Sequence, residues 1–335
     1  MKIDEAIKRI ANNEGLSEIE GRSVINSIMK GEVTSSQIGG FLIGLRVKGE
    51  TTEEILGAVK ALRDNMTVVD IKDNYLIDTC GTGGDGGKSF NISTIVAIVA
   101  ASGDVKVAKH GNRAVSSKSG SADVLKELGI KTDLDEFESK RVIEEVGMGF
   151  LFAPNFHKAM KNVAKERKEL ATRTIFNLIG PLVNPAPIKG QLLGIYDENL
   201  VNTVGEVLLT LGLERALVVH GDDGLDEITI SDRTKVCEIK DGVLSSYYIK
   251  PEDFGIERSS IEEISGGTSK ENSKIIINIL KGEKGAKRDI VLLNSGAALY
   301  VGKKVNSIKE GVELAKTLID SGKSYSKYKE LVAIN

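Results

Sequence analysis

The stretch Asp78-Thr-Cys-Gly-Thr-Gly-Gly-Asp-Gly-Gly-Lys-Ser-Phe-Asn-Ile-Ser93 decides the fold, with five glycines within seven residues. The apolar run at 75–77 predicts a strand before it, and 92–101 predicts a buried helix with Asn91 as N-cap. Glycine lets backbone N–H groups approach an anion, and a helix start adds unpaired donors and partial positive charge. This order of elements predicts a phosphate-binding loop.

Two common nucleotide motifs fit this loop poorly. Gly81-x-Gly83-x-x-Gly86 matches the dinucleotide fingerprint, but the second predicted strand, 105–108, is followed by Lys109-His110 and not by an acidic residue. The Walker pattern needs glycine six residues before Lys88, where Thr82 stands. A glycine-rich turn without a ligand is disfavoured, because ordering glycine costs entropy that nothing would offset.

A second loop at 109–123 combines cations, hydroxyls and glycines. It precedes a predicted helix at 122–128, with Ser121 as the expected cap. Two phosphate-type loops after successive strands indicate a ligand with two anionic ends.

Five stretches, at 78–93, 109–123, 149–155, 173–185 and 224–227, resemble the anthranilate phosphoribosyltransferase family in sequence and in order. The resemblance implies a small helical N-terminal domain plus a larger α/β domain with a mainly parallel central sheet. Residues 1–70, joined by helices from about 155–185, would form the first; 71–154 and 186–335 would form the second and bind phosphoribosyl pyrophosphate. The active site is expected in the cleft between them.

Local patterns predict individual elements. Capping boxes open three of four expected N-terminal helices, and Ser307-x-x-Glu310 caps a late one. Strands are predicted at 76–78, 105–108, 149–153, 192–196 and 216–220, and 235–250 is predicted to form a hairpin around Asp241-Gly242. The segment 155–170 is predicted to be one long helix.

The third helix carries Gly39, Gly40 and Gly44. Each costs about 1 kcal/mol relative to alanine, so we expect a closely packed face. A homodimer contact and an internal helix contact both explain it at this stage.

Composition excludes several classes of protein. The 335 residues are 41% hydrophobic and 28% charged, with a net charge of −3, which disfavours a nucleic-acid partner. Neither an apolar run of about 18 residues nor a signal-peptide core near the start is evident, so no membrane association is expected. Cys80 and Cys237 are too few for a disulfide framework, which fits the cytoplasm. Cys80 is interpreted as a small buried side chain and not as a nucleophile.

Four carboxylates fall within six residues: Asp222, Asp223, Asp226 and Glu227. Their repulsion favours a hard cation such as Mg²⁺, although a solvated acidic loop explains the composition equally well. The resemblance implies two Mg²⁺ ions, with Asp226, Glu227 and the hydroxyl of Ser93 as ligands.

The resemblance also assigns the donor site. The residues expected to bind phosphoribosyl pyrophosphate are Gly81, Gly84, Asp85, Ser89, Asn91, Ile92, Ser93, Thr94, Lys109, His110, Gly111, Asn112, Arg113, Ala114, Val115, Ser116, Ser117 and Ser121.

The acceptor site is assigned in the same way, to Gly81, His110, Asn112, His157, Arg167 and Pro181. Arg167 lies on an apolar stripe of the 155–170 helix, where an arginine needs an anion or extends to water. The resemblance implies that Arg167 meets the anthranilate carboxylate. Ala171 stands where the family pattern leads us to expect glycine. His220, at a strand end, is interpreted as structural.

The implied reaction transfers the phosphoribosyl group from phosphoribosyl pyrophosphate to the amine of anthranilate, in tryptophan biosynthesis. No covalent nucleophile or essential base is expected. The alternatives are a pyrimidine nucleoside phosphorylase, which shares the architecture, and a non-catalytic relative that binds nucleic acid.

Overall fold

The computed structural model describes residues 1–72, 75–83, 89–114 and 119–334. Two compact units make up the chain, and each is assembled from two separate stretches. The helical unit comprises Met1–Val68 and Pro154–Pro185, and the α/β unit comprises Val69–Ala153 and Ala186–Asn335.

The described residues form α-helices and strands in the following order. The helices are α1 (Ile3–Ala11), α2 (Glu18–Met29), α3 (Ser35–Lys48), α4 (Thr52–Asp64), α5 (Ile92–Ser102), α6 (Ser121–Glu127), α7 (Glu136–Val146), α8 (Ala153–Phe156), α9 (Lys161–Leu170), α10 (Ile175–Ile179), α11 (Leu200–Thr210), α12 (Ser269–Leu280), α13 (Ala286–Val301), α14 (Ile308–Asp320) and α15 (Lys323–Ala333). The strands are β1 (Leu76–Gly81), β2 (Lys106–Gly111), β3 (Met148–Phe152), β4 (Gly190–Gly194), β5 (Arg215–Gly221), β6 (Thr234–Lys240) and β7 (Val243–Ile249).

The helical unit begins as its capping signals predict. Ser17, Thr34 and Thr51 each accept a hydrogen bond from the backbone three residues on, and each forms a complete capping box. Glu54, only 2% exposed, also accepts from the backbone N–H of Leu16 and pairs with the buried Lys48 ammonium at 2.9 Å. One carboxylate therefore ties together the start of α2, the end of α3 and the start of α4.

The α/β unit is built on a seven-stranded sheet of order β3-β2-β1-β4-β5-β6-β7. The first five strands are parallel, and β6 and β7 add antiparallel at one edge. All five predicted parallel strands are present. The predicted hairpin is also confirmed: Asp241 and Gly242 both have positive φ, at 52° and 77°, as a type I′ turn requires.

The core of the α/β unit explains why α5 is apolar on every side. Ten of its eleven residues are buried, and it packs against β1, β2 and α13. A helix that is hydrophobic all round is buried all round. It starts directly after the glycine stretch, so its N-terminus is held at the carboxyl end of β1.

The prediction of one long helix over 155–170 is wrong. The segment forms α8, then a short 3₁₀ turn at Lys158–Met160, and then α9. The break falls at His157, whose backbone leaves the helical region (φ −110°, ψ 56°) and whose buried ring hydrogen-bonds the backbone of Val183. This contact joins residues far apart in sequence, so helical periodicity does not report it.

Of the two N-caps predicted for α5 and α6, Ser121 is wrong and Asn91 is confirmed in position. Gly120, and not Ser121, is the N-cap of α6, and its N–H donates to the Asp123 carboxylate at 3.0 Å. Asn91 occupies the N-cap position of α5, but its side chain makes no capping bond. Its carboxamide instead bonds Ser119 and Asn272.

The glycines of α3 have different surroundings. A Cβ at Gly44 would lie 2.8 Å from the Cγ2 of Ile10, so close packing on α1 explains this glycine. Gly40 has only the tip of Ile7 nearby, at 3.8 Å, and Gly39 has no atom within 4 Å. An internal contact therefore accounts for Gly44 alone. In the described part of the chain, no helix has both the length and the apolar character needed to cross a membrane.

Candidate active site

The glycine stretch begins at the point where the strand order of the sheet reverses, because β1 pairs with β2 on one side and with β4 on the other. Ligands of open α/β sheets bind beyond the carboxyl ends of strands at such a point. Thr82 ties the two strand ends together: its N–H donates to the carbonyl of Gly194 at 3.0 Å, and its hydroxyl accepts from the N–H of Tyr196 at 3.0 Å.

Two glycines let an acidic residue lie directly on these strand ends. A Cβ at Gly81 would come within 2.5 Å of the Asp226 carboxylate, and a Cβ at Gly194 would overlap the Asp226 carbonyl oxygen. The N–H of Gly83 donates to Asp226 Oδ2 at 2.8 Å. The glycine loop after β1 and the acidic loop after β5 are thus in direct contact.

The four carboxylates of the acidic loop have distinct roles. Asp222 forms an ion pair with Arg233 at 2.6 Å, and Asp223 accepts hydrogen bonds from the hydroxyls of Thr229 and Ser231. Asp222 and Asp223 therefore have protein partners of their own. Asp226 and Glu227 are 7% and 9% exposed, so the solvated-loop interpretation is wrong for these two.

Lys109 brings a buried cation to the same region. It is 1% exposed, and its ammonium donates to the Thr79 carbonyl at 2.5 Å and to Ser93 Oγ at 3.2 Å. Burial lowers the pKa of Lys109, and the charges of Asp78 and Glu227 act in the opposite direction. The strand ends therefore combine positive and negative groups in a nearly dry environment.

The donor set fits magnesium. Ser93, Asp226 and Glu227 supply hydroxyl and carboxylate oxygens, the hard ligands that Mg²⁺ prefers. Within the described ranges, no group of three or more His, Cys, Asp or Glu side chains could hold a metal ion. A cation here would need water or ligand oxygens as well, which is the usual behaviour of Mg²⁺.

The second loop is anchored at both ends. Asp123 Oδ2 accepts from the N–H of Ala114 at 2.9 Å and from that of Gly120 at 3.0 Å. Asn91 bonds Ser119 through both atoms of its carboxamide, with distances of 3.0 and 3.2 Å. These bonds join Asn91, at the start of α5, to Ser119, near the end of the second loop. The two predicted phosphate loops are therefore linked directly to each other.

The remaining donor-site predictions occupy varied positions. His110 is buried in β2, and its N–H donates to the fully buried Asp78 at 3.2 Å. Ile92 and Thr94 are buried in the first turn of α5, whereas Asn112 and Arg113 are exposed. Gly111 ends β2, Ser89 forms an isolated bridge with Ser265, and Ser121 is half-buried in the first turn of α6. Gly84, Asp85, Val115, Ser116 and Ser117 lie outside the described residues.

Three predicted acceptor residues belong to the helical unit. Arg167 is half-buried, with its guanidinium carbon 5.7 Å from the ring centroid of Phe176, and burial lowers its pKa. Within the described residues no carboxylate pairs with it. Burial lowers the pKa of His157 to about 4, and Pro181 lies in the 3₁₀ turn Gly180–Leu182.

Sequence reasoning missed a contact beside Pro181. Arg63, whose pKa burial lowers, donates from Nη2 to the carbonyl of Leu182 at 3.0 Å. In the sequence, an arginine in the last turn of an amphipathic helix cannot be distinguished from a surface arginine. The contact of Arg63 with Leu182 therefore could not be predicted from the sequence. The remaining three acceptor predictions, Gly81, His110 and Asn112, belong to the α/β unit.

Ala171 stands where the family pattern predicts glycine, and the backbone conformation at this position favours glycine. It ends α9 with left-handed backbone angles, φ 47° and ψ 28°. This conformation brings the Cβ close to the following carbonyl oxygen, and only glycine avoids the cost.

Cys80 and His220 are both structural in the described contacts. Cys80 is buried and accepts a hydrogen bond from Gln191 at 3.3 Å, and burial raises the pKa of its thiol well above the usual value. An uncharged buried thiol is a poor nucleophile. His220 Nδ1 lies 2.7 Å from the carbonyl of Ile195, linking β5 to the end of β4.

The helical unit and the parallel-sheet unit with its two loops after β1 and β2 together match one class of transferase, which comparison with known families identifies. Residues 73–325 match the glycosyl transferase family a/b domain, and residues 4–66 match the helical bundle domain of that family. The chain belongs to the glycosyl transferase family.

Within that family, the chain belongs with the anthranilate phosphoribosyltransferases. The enzyme of that name from Clostridium beijerinckii is 65% identical over 335 residues, covering 100% of this chain and 99% of the relative. That from Thermoanaerobacter sp. is 59% identical over 98% of each chain.

Solved structures agree with this placement. The anthranilate phosphoribosyltransferase of Thermus thermophilus superposes with a TM-score of 0.93 at 41% identity, over 98% of both chains. The Saccharomyces cerevisiae enzyme, solved with phosphoribosyl pyrophosphate and magnesium, gives a TM-score of 0.91 at 27% identity, over 99% of this chain and 97% of the other.

Proposed function

We propose that this chain transfers the phosphoribosyl group from phosphoribosyl pyrophosphate to the amine of anthranilate and releases pyrophosphate, a step of tryptophan biosynthesis. The observation that carries the proposal is the contact of the glycine loop with Asp226. A glycine-rich loop in contact with a buried carboxylate supports the proposal, because a metal-bound diphosphate needs both donors for its phosphates and ligands for its metal. The names of the relatives and the ligands of the yeast structure support the same reaction.

The donor would bind along the two loops that follow β1 and β2. Backbone N–H groups and Lys109 suit the phosphates, and the hydroxyl and amide side chains at 89–94 and 109–121 suit the ribose and bridging oxygens. Ser93, Asp226 and Glu227 would hold two Mg²⁺ ions, which neutralise charge on the diphosphate when bound. Lys109 is fixed by Thr79 and Ser93, so its charge needs no reorganisation during the reaction.

We propose that the acceptor is bound by His157, Arg167 and Pro181 of the helical unit and by Gly81, His110 and Asn112 of the α/β unit. Arg167 offers a partly desolvated fork to the carboxylate, since no protein carboxylate in the described chain competes for it. His157 is uncharged at neutral pH because its pKa is about 4, so it can contact the neutral aromatic ring or amine without adding charge.

The reaction needs little proton chemistry from the protein. The amine of anthranilate is uncharged at pH 7 and can attack the anomeric carbon directly. As the C–N bond forms, the C–O bond to pyrophosphate breaks, and the nitrogen gives up one proton to water or to the departing pyrophosphate. The demanding step is departure of pyrophosphate, and the loop donors with Lys109 stabilise the charge that develops on it. We assign no covalent nucleophile and no essential base.

The test is consumption of anthranilate, followed by its fluorescence, with phosphoribosyl pyrophosphate and Mg²⁺ both supplied. Omitting either should abolish it. Phosphorolysis of pyrimidine nucleosides without Mg²⁺ would overturn the proposal in favour of a nucleoside phosphorylase. Salt-sensitive retention on DNA with no turnover would indicate a nucleic-acid-binding relative.

We also propose that the protein is a cytoplasmic homodimer. Val47, on α3, is 81% exposed, and Gly39 on the same helix has open space above it. A helix with an exposed apolar side chain and a glycine that has open space above it offers a surface on which another helix can approach closely. The two free, buried cysteines suit a reducing compartment.

A further inference from the structure

Asn294 is a polar residue in the middle of an apolar helix. It is 0% exposed, and its neighbours on α13, Leu292 and Leu293, are part of the core. A buried carboxamide is costly unless its hydrogen bonds are made. An asparagine at this buried position, where a leucine would also pack, therefore has to be explained by the hydrogen bonds it makes.

Its hydrogen bonds supply that reason. Nδ2 donates to the carbonyl of Ile228 at 2.8 Å, and Oδ1 accepts from the N–H of the same residue at 3.0 Å. The second hydrogen on Nδ2 goes to the carbonyl of Ile290, one turn earlier, at 2.9 Å. The side chain thus pairs with one residue as a neighbouring strand would, and the bond to Ile290 fixes which end donates.

Ile228 directly follows Glu227, so this pairing acts on the acidic loop. On the other side of Glu227, Asp226 lies against Gly81 and Gly194 and accepts from Gly83. The backbone that carries the two carboxylates is therefore held on both sides.

We propose that Asn294 is a positioning residue for the magnesium site, which holds the backbone at Ile228 so that Asp226 and Glu227 are arranged before the metal and diphosphate arrive. The proposal rests on the proposed function of these carboxylates. Residues that orient metal ligands are needed for affinity, because an unheld ligand must be ordered on binding.

The test compares Asn294→Leu with Leu293→Ala in the full-length protein. Leucine has the same branched shape as asparagine but lacks the amide, whereas Leu293→Ala removes core packing one residue away and leaves the Asn294 amide in place. Binding of phosphoribosyl pyrophosphate is measured by calorimetry over a series of Mg²⁺ concentrations, alongside thermal melts and anthranilate kinetics.

For Asn294→Leu, we expect the Mg²⁺ concentration at half-maximal binding to rise about 10-fold or more, the range found for residues that orient metal ligands. The KM for anthranilate at saturating Mg²⁺ should stay within a few-fold. Leu293→Ala should lower the melting temperature and leave the Mg²⁺ dependence unchanged. Asn294→Ser, which loses the reach to Ile228, should behave like Asn294→Leu in a milder form.

Equal Mg²⁺ dependence in wild type and Asn294→Leu, or an equal rise in the Leu293→Ala control, would overturn the proposal. So would failure of both Asn294 variants to fold, since the amide would then serve the core alone. The double variant Asp226→Asn with Glu227→Gln separates the two ideas. If it binds with wild-type Mg²⁺ dependence, the proposed metal site itself is wrong.

Discussion

Arg167 is a charged residue held where charge is costly. Its guanidinium is half-buried and lies over the Phe176 ring, and burial lowers its pKa. A ligand carboxylate would form charge-assisted hydrogen bonds with it, and one such bond contributes about 1.5–3 kcal/mol.

Arg167→Ala should therefore raise the KM for anthranilate about 10- to 100-fold and change the KM for phosphoribosyl pyrophosphate only a few-fold. Arg167→Lys should recover part of the loss, because lysine lacks the planar fork. Lys165→Ala, at an exposed position of the same helix, is the control and should change neither constant. Steady-state kinetics with both substrates varied would measure this. An equal rise of the KM for both substrates would show that Arg167 supports the fold and does not bind the anthranilate carboxylate.

His157 makes stability depend on pH. Burial lowers its pKa from 6.5 to about 4, so the unfolded chain binds a proton there more readily than the folded protein does. Its contribution is constant above about pH 6.5, is lost as the pH falls from there to about 4, and changes no further below that.

From this shift, acid should cost about 3 kcal/mol of unfolding free energy between pH 6.5 and 4 through His157 alone. Urea denaturation at a series of pH values measures it. His157→Asn should flatten that part of the curve relative to wild type. An unchanged slope would show that the ring is protonated or solvated in the folded protein.

At the scale of elements, helix α9 ends in a strained cap. Ala171 is exposed, so a substitution there changes little packing and acts mainly through the left-handed backbone angles. Alanine in this conformation costs about 1–2 kcal/mol, and part of the gain from glycine is returned through the entropy of the unfolded chain.

Ala171→Gly should stabilise the protein by roughly 0.5–1 kcal/mol. Ala164→Gly, inside the same helix at an exposed position, should destabilise it by about 1 kcal/mol, which makes it a control with the identical chemical change. The melting temperatures of wild type, Ala171→Gly and Ala164→Gly measure both effects. Destabilisation by both changes would mean that position 171 is not left-handed in solution.

At the scale of the whole molecule, the exposed face of α3 is where we propose that two copies of the chain meet. Val47→Lys and Gly40→Leu should each raise the dimer dissociation constant 10-fold or more, since one buries a charge and the other fills the space that a partner helix would occupy. Val243→Lys, at a 65% exposed position on β7, should not. Sedimentation velocity tests this, and a monomeric wild-type protein at working concentration would remove the idea.

Much of the fold was determined by the sequence itself, because its signals are local. Capping boxes at Ser17, Thr34 and Thr51 mark helix starts within one turn of chain. Alternation of short apolar runs with helical stretches predicts the parallel strands, and Asp241-Gly242 requires a tight turn. The glycine stretch likewise predicts its loop, since five glycines have few other structural uses.

Tertiary structure alone decided how these pieces act on one another. Asp222 and Asp223 are engaged by Arg233 and by Thr229 and Ser231, which leaves the buried pair that follows as the candidate for metal. The break at His157 depends on a residue 26 positions away, Val183. Asn294 reaches Ile228 across 66 residues. Such contacts depend on which distant groups the folded backbone brings within 3 Å or so of each other, and no local pattern of residue types encodes that distance.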